Sequence, residues 1–295
     1  MSQLLDPKVL MAIKDLSLTA KTTVDGFLAG INKSAVKGPG LEFSQYRSYQ
    51  PGDDLRWLDW KMYARSDRYY IRESEIETSI SVKFLVDASG SMNHSDGSFI
   101  KIEYAKYLAA SLAYLANISG DYVGLNIFQD GKLFSLASRQ DHQHMSRLFF
   151  QLENITPGGK FTEAVGYRDL FSGAQRKELL VFITDFYEHD NEIMHLLDNL
   201  SSLKHEIIVF QLLARNELEL NYKGYAAVQD LETGESIRLN NDVSRNTYKH
   251  RLQEYLSSLR IQLLDRNISY RLVVTDQALE QALRDFLNQR NKLRA

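Results

Sequence analysis

Three segments of this 295-residue chain carry side-chain oxygens that could meet around one metal ion. In Asp87-Ala-Ser-Gly-Ser91 a carboxylate and two hydroxyls recur at i, i+2 and i+4 of a tight loop. Pro157-Gly-Gly-Lys-Phe-Thr162 is a flexible loop ending in a hydroxyl, and Val181-Phe-Ile-Thr-Asp185 ends in a second carboxylate. Hard cations such as Mg²⁺ take oxygen ligands in near-octahedral geometry. Asp87, Ser89, Ser91, Thr162 and Asp185 are therefore a candidate metal set, acting directly or through water, with one vertex left for a partner's carboxylate. Each piece alone has a blander reading. Ser and Asp are common in turns, Thr162 suits a helix N-cap, and Asp185 could be an ordinary loop residue. The three together, each at an expected sheet edge, point to a joint site.

The elements that position them follow from apolar patterning. Strand-like runs cover 80–86, 122–128, 178–184, 206–213 and 269–275, with helical stretches at about 99–118, 141–153, 162–174, 189–203, 245–264 and 276–291. Strands alternating with helices imply right-handed crossovers and an α/β fold with a mostly parallel, doubly wound sheet covered on both faces. In such sheets ligands bind at the carboxyl ends of the strands, where Asp87 and Asp185 fall. Gly131 suggests a hairpin adding an antiparallel edge strand over 132–137, and Thr233-Gly234 turns a second hairpin within 228–237. Residues 1–78 break the alternation and read as an N-terminal arm before a main domain at 79–295. The arm opens with a short helix over 7–20, continues through a polar loop spanning Gly30 to Gly40, and carries strand-like stretches near 42–50 and 68–78.

Composition excludes several function classes. The chain has no cysteine, which removes disulfides, thiolate catalysis and cysteine-bound zinc. A net charge of -3 gives no global pull towards nucleic acid or anionic lipid. The N-terminus lacks signal-peptide character and no apolar run approaches the ~18 residues of a membrane span, so a cytoplasmic protein is expected. His142 and His144 resemble half a zinc site, but i and i+2 point apart on a helix. His94 and Asp96 follow the metal loop and read as its rim or as solvent-exposed. Gly158-Gly159 lacks the spacing of a phosphate loop, and no G-x-S-x-G elbow presents a nucleophilic serine. Arg284, Arg290, Lys292 and Arg294 read as a solvated helix face.

The order D-x-S-x-S, then Thr, then Asp on alternating strands and helices resembles the von Willebrand factor A domain with its metal-ion-dependent adhesion site. The resemblance implies that Ser89, Ser91 and Thr162 contact Mg²⁺ (or Mn²⁺ or Ca²⁺), with Asp87 and Asp185 acting largely through water. Lys160 and Phe161 interrupt the usual Gly-Gly-Thr, which makes Thr156 the runner-up to Thr162. A second string, Gly30-x-x-Lys-Ser34, Gly38-x-Gly-x-Glu-Phe43, Arg47-x-Tyr49, Gly52-Asp-Asp-x-Arg56, Asp59-Trp60 and Ala64-Arg65, resembles the bacterial domain-of-unknown-function-58 family. That family joins such a segment to a von Willebrand A-like domain and is commonly encoded beside MoxR-type AAA+ ATPases. The implied role is a non-enzymatic, metal-dependent adaptor or co-chaperone that helps the ATPase remodel a client. Balanced charges between Lys37 and Glu75 suit either an internal ion-pair network or a partner-recognition surface. The rival reading is a metal-dependent phosphohydrolase on the same Asp-lined edge. That chemistry wants a base or second carboxylate where Ser89 stands. The sequence leaves the oligomeric state open.

Overall fold

β-branched and aromatic residues dominate five of the strands, and burial follows that pattern. A computed structural model describes residues 15–33, 45–51, 58–73, 79–97, 99–162, 171, 177–219, 227–229, 231–232, 236–238 and 241–294. The main sheet has six strands: β3 (Ser81–Asp87), β4 (Tyr122–Gln129), β5 (Lys132–Arg139), β6 (Leu179–Thr184), β7 (Glu206–Leu213) and β10 (Ser269–Val274). Their spatial order is β10-β7-β6-β3-β4-β5, parallel throughout except for the antiparallel β4–β5 hairpin. Every residue of β6 is buried, as expected of a strand covered on both faces. Asp130 and Gly131 both take positive φ in the β4–β5 turn, the conformation a tight hairpin needs. The mostly parallel, doubly wound α/β architecture expected from the sequence is the one observed.

Successive side chains of β3 serve opposite faces. Leu85 enters a core with Phe128, Phe161, Phe182 and Val209, on the side of α5 (Glu192–Ser202) and α7 (Asn241–Asp265). Phe84 points the other way and stacks with Phe286 of α8 (Glu280–Arg294) at a centroid distance of 6.4 Å. Helix α3 (Lys101–Ile118) packs on β3 and β4 and is buried almost all round, as its sequence implies. Helix α4 (His142–Glu153) buries His144, whose Nε2 lies 2.6 Å from the Val123 carbonyl. That histidine is a satisfied core residue rather than a metal ligand.

Chain contacts divide the molecule into two units, Met1–Leu28 with Ser79–Ala295, and Ala29–Thr78. Helix α1 runs over Leu16–Lys33, sharing its first residues with the helix expected at 7–20 and running into the expected loop, while residues 7–14 lie outside the described residues. Its Thr23 Oγ1 meets Tyr107 Oη at 2.9 Å, and Ala20, Val24 and Phe27 are buried. Within the smaller unit β1 (Gln45–Ser48) pairs antiparallel with β2 (Tyr70–Glu73). Between them lies α2 (Trp60–Ser66), which the sequence reading did not foresee. The Asp59 carboxylate caps α2 by accepting from Lys61 N and Met62 N at 2.9 and 3.0 Å, and Tyr63 stacks on Tyr69 at 4.5 Å. Arg47, Arg56 and Arg72 of the expected charge network lie outside the described side chains, as does most of the expected helix 162–174. The second hairpin forms as β8 (Ala227–Gln229) and β9 (Ser236–Arg238), and α6 (Arg215–Glu219) is a short helix the sequence did not signal.

The expected solvated face of α8 needs correction. Arg290 is 3% exposed and grips Asp121 with Nε and Nη2, while Nη2 also donates to the Ser119 carbonyl at 2.7 Å. Asp121 in turn accepts from Ile80 N at 3.2 Å, tying the last helix to the entry of β3. A buried pair broken on one side leaves an uncompensated charge, a loss of about 3–5 kcal/mol. Arg290→Ala should lower unfolding stability by about that amount in a urea titration, whereas Lys292→Ala, on the exposed side of the same helix, should change it little.

Candidate functional site

Adjacent parallel strands β3 and β6 end in carboxylates, so the fold brings Asp87 and Asp185 to one sheet edge. Asp87 is wholly buried and both its oxygens are occupied: Oδ2 accepts from Thr184 Oγ1 at 2.6 Å and Oδ1 from Ser89 N at 2.9 Å. Burial, reinforced by the charge of Asp185, pushes the Asp87 carboxyl up to about 7 against the lowering effect of these hydrogen bonds. After Asp87 the chain makes a single helical turn, Gly90–Asn93. Gly90 N donates to the Gly159 carbonyl at 2.8 Å and Gly158 N to the Ala88 carbonyl at 2.9 Å, so the 157–160 loop locks onto the serine loop through backbone. A Cβ at Gly90 would lie 3.0 Å from the Leu231 carbonyl and 3.1 Å from that of Gly159. Only glycine admits both approaches at ease.

The serine hydroxyls complete the cluster. Ser89 Oγ and Ser91 Oγ are 3.0 Å apart, and Ser91 Oγ donates to Asp185 Oδ1 at 3.1 Å. Metal–oxygen distances of 2.0–2.1 Å set neighbouring vertices of an octahedron about 2.9–3.0 Å apart, so these spacings suit cis ligands of Mg²⁺. Phe186, directly after Asp185, is held in the left-handed region at φ 59 with its N–H donating to Thr184 Oγ1 at 2.9 Å. Strain of that kind, of order 1–3 kcal/mol, gathers at functional sites. No group of three or more acidic or histidine side chains forms a metal cage among the described residues. Any ion here would lean on hydroxyls as much as on carboxylates.

The sequence reading missed the counter-charge. Lys101 Nζ lies 2.6 Å from Asp185 Oδ2 and 2.9 Å from Glu217 Oε1, its side chain 3% exposed. Burial alone would depress the ammonium, but Asp185 and then Glu217 outweigh it and hold the group above its ordinary value. Glu217 is fixed by the Ala214 N–H, 2.7 Å from its Oε2. Lys101 opens α3 in sequence like any first-turn lysine, and only the crossover geometry reveals that it reaches the β6 edge. Thr184 was equally unreadable because a strand-end threonine has no distinguishing spacing.

Thr162 is not brought into hydrogen bonding with the other four among the described residues. It is exposed, with Oγ1 3.1 Å from where a Cβ on Gly131 would stand. Phe161 explains the turn-away: it is 3% exposed and wedged between Phe128 and Phe182, at 5.7 and 6.1 Å. Thr156 is exposed too, and contributes its carbonyl to Gln129 Nε2 at 2.6 Å. Of the rim candidates, His94 Nε2 meets Asn216 Oδ1 at 2.9 Å and Asp96 accepts from Phe99 N at 3.0 Å.

The family model described as "Protein of unknown function DUF58" matches residues 45–256. The chain belongs to this family. This DUF58 protein is 29% identical over 232 residues to uncharacterized proteins of Mycobacterium bovis and Mycobacterium tuberculosis, covering 78% of its own chain and 73% of theirs. Among solved structures, BatB from Bacteroides thetaiotaomicron is similar with 19% identity and a TM-score of 0.48, over 73% of this chain and 98% of that one. The von Willebrand A domain of SpRpn10 is similar with 13% identity and a TM-score of 0.41, over 72% and 95%. An aerotolerance-related membrane protein from Bacteroides fragilis has 18% identity and a TM-score of 0.48, over 72% and 100%. Among the described residues of the DUF58 chain no helix is long and apolar enough to cross a membrane.

Thr184→Val removes the hydroxyl that donates to buried Asp87 while keeping the side chain's shape. Leaving a buried polar group without its partner costs about 1–3 kcal/mol, and the variant, which also deprives the Phe186 N–H of its acceptor, should lose at least that amount in metal-free chemical denaturation, with unchanged far-ultraviolet circular dichroism.

Proposed function

We propose that this protein is a non-enzymatic, metal-dependent protein-interaction module, an adaptor that works with an AAA+ ATPase of the MoxR type in remodelling or assembling a client. The observation that carries the reading is the convergence of Asp87, Ser89, Ser91 and Asp185 at one sheet edge, with oxygens about one octahedral edge apart. Ser89, Ser91 and Asp185 would hold Mg²⁺ (or Mn²⁺ or Ca²⁺), and Asp87 would orient the serine loop from behind. The ion would supply positive charge for an acidic side chain of the partner. What the chain's own residues do is hold the loops in register and limit the site's charge through Lys101. The non-enzymatic reading has support in Asp87 itself: both its oxygens accept hydrogen bonds and it is closed to solvent, a poor posture for a nucleophile or general base. The ATPase as partner is drawn from the family alone.

Two measurements test this. Calorimetric titration of the purified chain with MgCl₂ or MnCl₂ should show uptake of one ion, and an ion at 100-fold its Kd should raise unfolding stability by about 2.7 kcal/mol. Ser89→Ala should weaken uptake without unfolding the chain. Affinity capture from native lysate should retain the ATPase in Mg²⁺ and lose it in EDTA or with Ser89→Ala. Equal recovery under all conditions would sink metal-mediated docking.

A further inference from the structure

The tip of the β8–β9 hairpin comes down onto the serine loop. Beside the Leu231 carbonyl, Glu232 Cγ lies 3.6 Å from where a Gly90 Cβ would stand. Leu231 is 48% exposed, yet the side chain of its neighbour Glu232 is only 1% exposed. Glutamate is almost never buried to that degree unless it is paired. One partner is His189, whose Nε2 meets Glu232 Oε2 at 3.2 Å on the site's rim. Ser91 and the charged Asp185 also lie near enough to act on the carboxylate electrostatically.

That arrangement crowds too many acceptors around one proton. Ser91 Oγ has Ser89 Oγ at 3.0 Å, Asp185 Oδ1 at 3.1 Å and the Glu232 carboxylate around it. A serine hydroxyl donates a single hydrogen bond, so it serves Asp185 or Glu232 but not both. Lys101 cannot make up the difference, because its ammonium is already spread over Asp185 and Glu217. The carboxylates of Asp185 and Glu232 and the hydroxyls of Ser89 and Ser91 thus gather with one ammonium at their margin. A divalent cation among them would satisfy all the acceptors at once.

We infer that Glu232 is an intrinsic ligand: with Ser89, Ser91 and Asp185 it would hold the metal ion, and an acidic side chain of the partner would compete with its carboxylate. This deepens the metal-site reading and depends on it. His189 acts as a positioning residue that holds the carboxylate over the site. Partner recognition would then set the partner's carboxylate against that of Glu232. It would favour partners that make further contacts beside the site, since a lone acidic side chain gains little by replacing its equal.

The test is a Mn²⁺ titration of the full chain, read from the loss of the free-ion electron paramagnetic resonance signal. It compares wild type, Glu232→Gln, Glu232→Ala and, as an exposed control on α7, Glu254→Gln. Glu232→Gln should weaken Mn²⁺ binding about tenfold or more, with Glu254→Gln matching wild type. In Glu232→Ala, acetate should restore much of the lost affinity relative to chloride at equal ionic strength, and acetate should leave wild type unchanged. Circular dichroism of each variant confirms folding. If both Glu232 variants bind Mn²⁺ as tightly as wild type and ignore acetate, the intrinsic-ligand inference is overturned while the metal site stands. If wild type takes up no Mn²⁺, both fall together.

Discussion

Two carboxylates shut away from water at neighbouring strand ends must find compensation, and much of the local structure answers that demand. Asp87 and Asp185 are 0% and 4% exposed, where an unpaired carboxylate would change protonation state rather than persist. Asp87 is met by a hydroxyl and a backbone N–H, Asp185 by the Lys101 ammonium, a serine hydroxyl and the N–H of Tyr187. Those partners come from three places, the loop after β3, the end of β6 with the loop beyond it, and the start of α3. The constraint therefore fixes how the loops after β3 and β6 and the start of α3 lie relative to one another.

The buried lysine gives the site an unusual resting condition. A pair such as Lys101–Asp185 adds little net stability over an apolar substitute, because both charges lose their hydration. What it contributes is a definite geometry and a reduced negative charge where several carboxylates meet. Lys101 reaches Asp185 through Oδ2, leaving Oδ1 to Ser91 and Tyr187 N. The lysine side and the serine side of that carboxylate are thus separate, and a cation on the serine side need not evict the ammonium.

How much was readable from sequence depended on the range of the interaction. The five apolar strands and the first hairpin stand in local pattern, and all lie where that pattern put them to within a residue or two. Asp87, Ser89 and Ser91 are encoded within five residues, and Asp185 adjoins because β3 and β6 pair. Thr162 is exposed because Phe161 fills a hydrophobic site from the same loop and turns its neighbour outward. Lys101, Glu217 and Glu232 come from elements far apart in sequence, and nothing in their neighbours marks them. Arg290 misled for a related reason: on a helix with exposed Arg and Lys around it, one arginine looks like the rest until its buried partner is in view. Helix α2 was hidden by its length, since seven residues give hardly two turns of periodicity.

The β4–β5 hairpin carries one more consequence. β5 is one of the sheet's two edge strands, joined to β4 with a register irregularity between Val123 and Leu125, and its side chains are exposed or half-buried from Lys132 to Arg139. A margin that is reversed in direction, kinked and bounded by cations is a poor template for strand addition by another chain. Strand addition by another chain is thereby discouraged along the β5 margin of the sheet.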